Sequence, residues 1–137
     1  TLERVCSLVG VSTRDEKVAL GEAALKIDPT ASAMRVVNDY HGLSVTNLDD
    51  AVSPAALFRA TTEHLIEDSE AMVSLIEKFT GKANEVVIAG GWIKNPMIAS
   101  AKNKQFGSYK VSDATEAGAT GAAQFAGIAA GIFQLKI

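Results

Sequence analysis

Two segments constrain the fold of this chain more than any other: Glu85-Val-Val-Ile-Ala-Gly-Gly-Trp-Ile-Lys-Asn-Pro96 and, some twenty residues on, Glu116-Ala-Gly-Ala-Thr-Gly-Ala-Ala123. Val86, Val87 and Ile88 form an apolar β-branched run, as a fully buried strand requires. Gly90 and Gly91 follow at once, where the backbone can turn sharply and a ligand can approach with no Cβ in the way. Asn95 suits an N-cap and Pro96 the first turn of a helix. A strand that runs through glycines into a helix N-terminus presents free N–H groups and the positive end of a helix dipole, a setting for phosphate or ribose oxygens. Packing alone also accounts for such a turn in many α/β domains. Neither familiar nucleotide signature is met: there is no G-x-G-x-x-G, and Gly81-Lys82 is followed by Ala83 with no glycine five residues before it.

The rest of the chain reads as helices around short strands. Leu2, Val5, Leu8 and Val9 repeat as one helical face that Gly10 ends. Thr13, with Glu16 three residues on, forms a capping box for a second helix running to Lys26, and Asp28-Pro29 ends it. Met34 to Tyr40 and Leu43 to Thr46 are β-like runs around His41-Gly42. Ser53 and Pro54 open a long helix of about 25 residues, which Gly81 ends. On it Phe58, Thr62, Leu65, Ser69, Met72, Ile76 and Phe79 form one stripe, with Glu63, Glu67, Glu70, Ser74 and Glu77 opposite. Such a helix packs along a sheet or a neighbouring domain. Then come the strand over 85–89, a helix from about Pro96 to Gln105, a short strand near Tyr109–Val111 and a closing helix from Ala114 to Phe133. Gly118, Gly121, Gly127 and Gly131 lie inside that last helix, each costing about 1 kcal/mol against alanine. Gly118 and Gly121 share a face with Phe125 and Ile132, so a close approach to a strand or ligand loop is expected to offset the cost.

Length and charge narrow the function. The chain's 137 residues suit one domain and not two. Hydrophobic residues at 47% support a core, and aromatics at only 6% make it one of small, close-packed groups. With a net charge of −3 and no basic cluster, nothing points to nucleic acid, and none is expected as a partner. Cys6 is the only cysteine, so no intrachain disulfide forms and a reducing compartment fits. No His or Lys motif stands by to activate it, so it reads as a buried structural thiol. Residues 117–135 carry no charge and reach the length of a membrane span. Their Ala and Gly content, with Thr120, Gln124 and Gln134, makes the transfer energy feeble, and a buried helix in a soluble domain is the reading. His41 and His64 fall outside any metal-ligand spacing. The acidic face of the long helix reads as solvated rather than as a metal site. No H-E-x-x-H, G-x-S-x-G or Ser/His/Asp order occurs, so hydrolase chemistry finds no support.

Three segments carry a resemblance. Ala89-Gly90-Gly91-Trp92-Ile93-Lys94-Asn95-Pro96, Glu116 through Ala123, and Leu57-Phe58-Arg59-Ala60-Thr61-Thr62-Glu63 upstream are similar, in order and spacing, to the closing region of the FGGY carbohydrate kinases. These are the sugar and polyol kinases of the actin/hexokinase/Hsp70 superfamily. In that family an Arg-Ala-x-x-Glu helix comes first. A hydrophobic strand then enters Gly-Gly-Gly or a close variant, a polar helix start follows, and a Glu-Ala-x-x-x-Gly-Ala-Ala helix comes later. The resemblance spans roughly the last 80 to 100 residues and thins out before Asn38. Trp92 stands at the commonest third glycine, His64 follows Glu63 where many members have glycine, and the family's Thr-Pro-x-Trp-Asp-Pro stretch is not recognisable between Lys26 and Asn47. These departures leave the subfamily, and hence the sugar, open.

The resemblance implies an α/β fold, a helix-rich partial RNase H-like (actin-like ATPase) domain. It also implies that residues 1–137 are a C-terminal fragment of the second domain of a longer cytoplasmic kinase; the opening Thr1-Leu2-Glu3, without Met, fits a fragment. The whole enzyme would use ATP and Mg²⁺, with ATP/ADP and a sugar or polyol as partners, and transfer a phosphoryl group to a hydroxyl. The family's catalytic Asp and Gly-Thr phosphate loop precede the matched region. No catalytic or metal-binding residue is therefore expected in this chain, which supplies the adenosine side of the ATP cleft. By the same resemblance Gly90 and Gly91 bring backbone close to the ADP phosphate and ribose, and Asn95 is placed to hydrogen-bond the adenine or ribose edge. Trp92 packs either against the base or in a core seam, and Lys94 either meets phosphate or faces solvent. Alone, the chain is expected to be inactive, to expose apolar surface and to self-associate as a homo-oligomer. A reading from a different class is a non-catalytic interaction module that uses the long helix over 54–80, with the Gly90-Gly91 turn purely structural. A Rossmann-like nucleotide domain finds too few strand–helix alternations before Glu85.

Overall fold

A computed structural model describes residues 1–29, 33–39, 42–48, 52–113 and 116–134. Helix α1 (Leu2–Leu8) ends where Gly10 takes φ +76°. There the Gly10 and Val11 N–H groups donate back to the Ser7 and Cys6 carbonyls at 3.2 and 2.8 Å, a Schellman closure. Helix α2 (Arg14–Leu25) opens on the expected capping box. The Glu16 N–H donates to Thr13 Oγ1 at 3.3 Å, and the Glu16 carboxylate accepts from the Thr13 and Ser12 N–H groups at 2.9 and 3.0 Å. Strands β1 (Arg35–Asp39) and β2 (Gly42–Thr46) form an antiparallel hairpin with Val36 opposite Val45. Helix α3 (Pro54–Thr80) runs 27 residues from the Ser53 cap to Gly81, which takes φ +75°.

The second half of the chain holds β3 (Val87–Ile88), a 3₁₀ turn over Gly91–Lys94, α4 (Pro96–Phe106), β4 (Lys110–Val111) and α5 (Ala117–Ala129). Strands β3 and β4 run parallel. The Lys110 and Ser112 N–H groups donate to the Val86 and Ile88 carbonyls at 2.9 and 2.8 Å, and Lys110 pairs with Glu85.

One core joins α1, α2, the hairpin, the start of α3 and α4. It contains Val5, Cys6, Leu20, Ala24, Val36, Leu57, Phe58 and Met97. Thr61 and Thr62 lie fully buried in it, their hydroxyls donating to the Leu57 and Phe58 carbonyls at 2.7 and 2.9 Å, so neither polar group is left unpaired. Arg59 ties α3 to the end of α2. Its guanidinium donates to the Ala24 and Ile27 carbonyls at 3.2 and 2.8 Å and pairs with Glu63 at 2.8 Å. A cation over the last carbonyls of a helix satisfies orphan acceptors and complements the dipole. That accounts physically for an Arg-Ala-x-x-Glu pattern on this helix.

Several expectations are corrected. The strand over 85–89 is paired only at Val87–Ile88 and is not buried, since Val87 is 57% exposed; β4 is its one ladder neighbour among the described residues. The closing helix stops at Ala129 and does not reach Phe133. Gly131 turns left-handed at φ +72°, and the Ile132 and Gly131 N–H groups donate to the Gly127 and Ile128 carbonyls at 2.8 and 3.0 Å. The chain then folds back so that Phe133 lies against Gly127, where a Cβ would collide with the ring. Gly118 and Gly121 make no close approach: nothing lies within 4 Å of a Cβ built on either. Tyr40, His41, Ala114 and Leu135 lie outside the described residues. His64 sits on α3 with Asp68 at 3.4 Å, and among the described residues no helix is long and apolar enough to cross a membrane.

Candidate functional site

The site is built on the turn after β3. Gly90 takes φ +110°, a conformation that side chains disfavour, and so lets the chain leave the strand directly into the 3₁₀ turn. Asn95 ends that turn and caps α4. Its Oδ1 accepts from the Met97 and Ile98 N–H groups at 3.0 and 3.5 Å, and its Nδ2 donates to the Lys17 carbonyl in α2 at 2.7 Å. The side chain reaches α2 because Gly21, one turn past Lys17, has no Cβ; a methyl there would collide with the Asn95 carboxamide. Asn95 is thus buried, with its oxygen and one amide hydrogen committed within the protein.

Trp92 occupies the seam beside it. One side meets Phe58 with ring centroids 6.1 Å apart at a 36° tilt, and the Lys17 ammonium stands 5.7 Å from the ring centroid. Lys17 is in turn paired with Glu3 of α1 at 2.7 Å. Glu3, Lys17, Trp92 and Phe58 therefore form one chain of contacts from α1 to α3. Trp92 is half-buried: it packs against the core and also faces the cleft.

These elements enclose a cleft of about 960 Å³. One wall is Glu3, Arg14, Lys17 and Val18; the floor runs from Ala89 through Asn95; the far wall is Val111, Ser112 and Asp113 with Glu116, Ala117 and Gly118. Gly90, Gly91, Trp92 and Asn95, the four residues singled out in the sequence, line this one cleft together with the start of the Glu116–Ala123 segment. No atom lies within 4 Å of a Cβ built on Gly90 or Gly91, so the floor is bare backbone with open space over it. The sequence reading missed Arg14, Lys17 and Asp113. The available signal was Gly21, a glycine inside a helix that marks close contact with another element.

Other titratable groups serve structure. Burial raises the pKa of the Cys6 thiol above its ordinary value, opposed in part by Lys17, which fits an inert core thiol. Burial lowers the pKa of Lys102, with Glu70 opposing. Its ammonium donates to Ser69 Oγ and Gln105 Oε1 at 3.2 and 2.8 Å, a strut between α3 and α4. Among the described residues no group of three or more His, Cys, Asp or Glu is placed to hold a metal ion.

Two solved structures share this fold. Xylulose kinase from Rhodospirillum rubrum matches with a TM-score of 0.62 and 12% identity, over 73% of this chain and 22% of that one. Xylulose kinase from Bifidobacterium adolescentis matches with a TM-score of 0.55 and 21% identity, over 71% of this chain and 21% of that one. The match thus spans about a fifth of the length of either kinase. No protein-family model and no curated protein matches the sequence. At these identities the likeness is one of fold: the chain is a helix-rich α/β structure that matches part of a domain of xylulose kinase, with an actin-like ATPase fold.

Proposed function

We propose that this chain, residues 1–137, is the C-terminal portion of the second domain of an ATP-dependent carbohydrate kinase of the FGGY type, and that it supplies the adenosine side of the ATP cleft. The observation that carries the reading is the meeting of the Gly90–Gly91 turn and the Glu116–Gly118 helix start in one cleft, within a fold shared with two xylulose kinases. ATP with Mg²⁺ supplies the phosphoryl group that passes to a sugar or polyol hydroxyl. The residues of this chain bind and orient. Gly90 and Gly91 leave backbone bare where the phosphate and ribose lie. Asn95 holds the turn against α2, with one amide hydrogen left for the adenine or ribose edge. Trp92 braces the turn from the core side. The sugar site, the base for its hydroxyl and the Mg²⁺ ligands belong in this reading to the rest of a cytoplasmic polypeptide, so the 137-residue chain alone is inactive.

The test is ATP turnover by the full-length polypeptide against a panel of pentoses, hexoses and polyols, xylulose included. Sugar-dependent ADP release is expected, and Gly90→Val, which strains the turn and fills the floor, is expected to lower it by roughly ten- to hundred-fold. An absence of turnover with every sugar tried would leave the second reading, an interaction module. That reading draws on the bare apolar stripe of α3, where Met72, Leu75, Ile76 and Phe79 are all more than half exposed.

A further inference from the structure

The cleft is lined by three acids, Glu3, Asp113 and Glu116, and three cations, and the local commitments of the cations differ. Lys17 is taken up by Glu3 and stands over Trp92. Arg14 lines the same wall three residues earlier, and among the described residues it has no ion pair or hydrogen bond. Its position is the first of α2, where a positive charge opposes the helix dipole. Two acids share this first turn, Asp15 and Glu16; neither pairs with Arg14, and Glu16 is bound to the Thr13 and Ser12 N–H groups. A cation set against its own helix end and left without a counter-ion breaks a local rule, and such breaks gather at functional sites. Lys94 is the third cation, exposed on the floor side just past the glycine turn.

Resting on the nucleotide reading of this cleft, we infer that Arg14 reads the negative charge of the ligand and sets the preference of the cleft for a nucleoside diphosphate over the uncharged nucleoside. The planar guanidinium fork suits two phosphate oxygens at once, which an ammonium cannot match. Trp92 supports this polarity. Its indole packs against Phe58 and the Lys17 ammonium stands 5.7 Å from the ring centroid, so the α2 wall beside it presents charge.

Calorimetric titration of the full-length protein with ADP and with adenosine tests the inference. The wild type is expected to bind ADP more tightly than adenosine. Arg14→Ala should weaken ADP roughly ten-fold and leave adenosine unchanged, and Arg14→Lys should recover part of the loss. Equal losses for both ligands, no loss for either, or a loss of ADP binding on Lys94→Ala but not on Arg14→Ala would each overturn the role of Arg14. A wild type that binds neither ligand would overturn the nucleotide reading itself, and the inference with it. Because the Arg14 side chain is exposed and unbonded, the variant should melt as the wild type does, which keeps a binding loss apart from a folding loss.

Discussion

Along α3 the apolar stripe begins sealed and ends bare. Phe58 and Thr62 are fully buried beneath α1, α2 and the hairpin, while Met72 and Ile76 are 61% and 59% exposed and Phe79 is 85% exposed. The same contrast divides the molecule. α1, α2, the hairpin and α4 close around the first turns of α3. Beyond them β3 and β4 form a two-stranded parallel ladder with Val87 and Val111 open, and α5 buries only Gly127. Parallel sheets are ordinarily covered on both faces by helices. The spacing of apolar residues is unbroken along all of α3, so it reports which face would accept a neighbour and not whether one is present. In the proposed kinase that neighbour is the rest of the domain.

The sharpest way to break the contrast is to truncate the same residue type at both ends of α3. Phe58→Ala empties a fully buried site and should cost about 3–5 kcal/mol, enough to unfold a marginal domain. Phe79→Ala removes a ring that touches little and should stay within about 0.5 kcal/mol. Urea unfolding of the 137-residue chain reads both; comparable losses would mean that the end of α3 is packed in solution, by self-association or otherwise.

Glycine-to-alanine changes sharpen the comparison at smaller scale. At Gly21 the added methyl meets a buried carboxamide held by hydrogen bonds to Lys17, Met97 and Ile98, which cannot shift cheaply. The expected loss is about 1–3 kcal/mol, despite the better helix propensity of alanine. At Gly121 the methyl meets open space, so Gly121→Ala should stabilise α5 by about 0.5–1 kcal/mol. Thermal melts in which both changes destabilise would show that α5 is packed against another surface.

Helix starts and stops were legible because their chemistry is local. Thr13 with Glu16, Ser53 with Pro54, Asn95 with Pro96, and the glycines at 10 and 81 each act within a few residues, and each is found in place. The early end of α5 was also written locally, in Gly131, but the uncharged run through it masked the stop. Burial was not legible: Val86, Val87 and Ile88 read as a buried strand, and only the identity of their neighbours decides the matter. The floor of the cleft, Gly90 to Asn95, could be read from one segment. Its α2 wall could not, because the bond from Asn95 to the Lys17 carbonyl joins residues 78 apart, and Gly21 alone hinted at it.

The smallest effect compares the two helix starts that flank the cleft. α2 is closed by a full capping box, whereas Glu116 at the start of α5 makes no side-chain capping bond. Hydrogen bonds from the Thr13 and Ser12 backbone N–H groups lower the Glu16 pKa from 4.5 to about 2. A depressed native pKa means that the unfolded chain binds more protons across that window, so the contribution of Glu16 is fully present above about pH 4.5 and is lost as the pH falls through about 2. The carboxylate is fully exposed, so the change should be a small slope in melting temperature rather than a transition. Glu16→Gln keeps the shape of the cap and removes its charge. Melts of both proteins from pH 5 to pH 2 should therefore converge toward the acid end. Parallel curves would mean that the box is not closed in solution, and the packed half of the molecule would begin with a helix end as loosely held as that of α5.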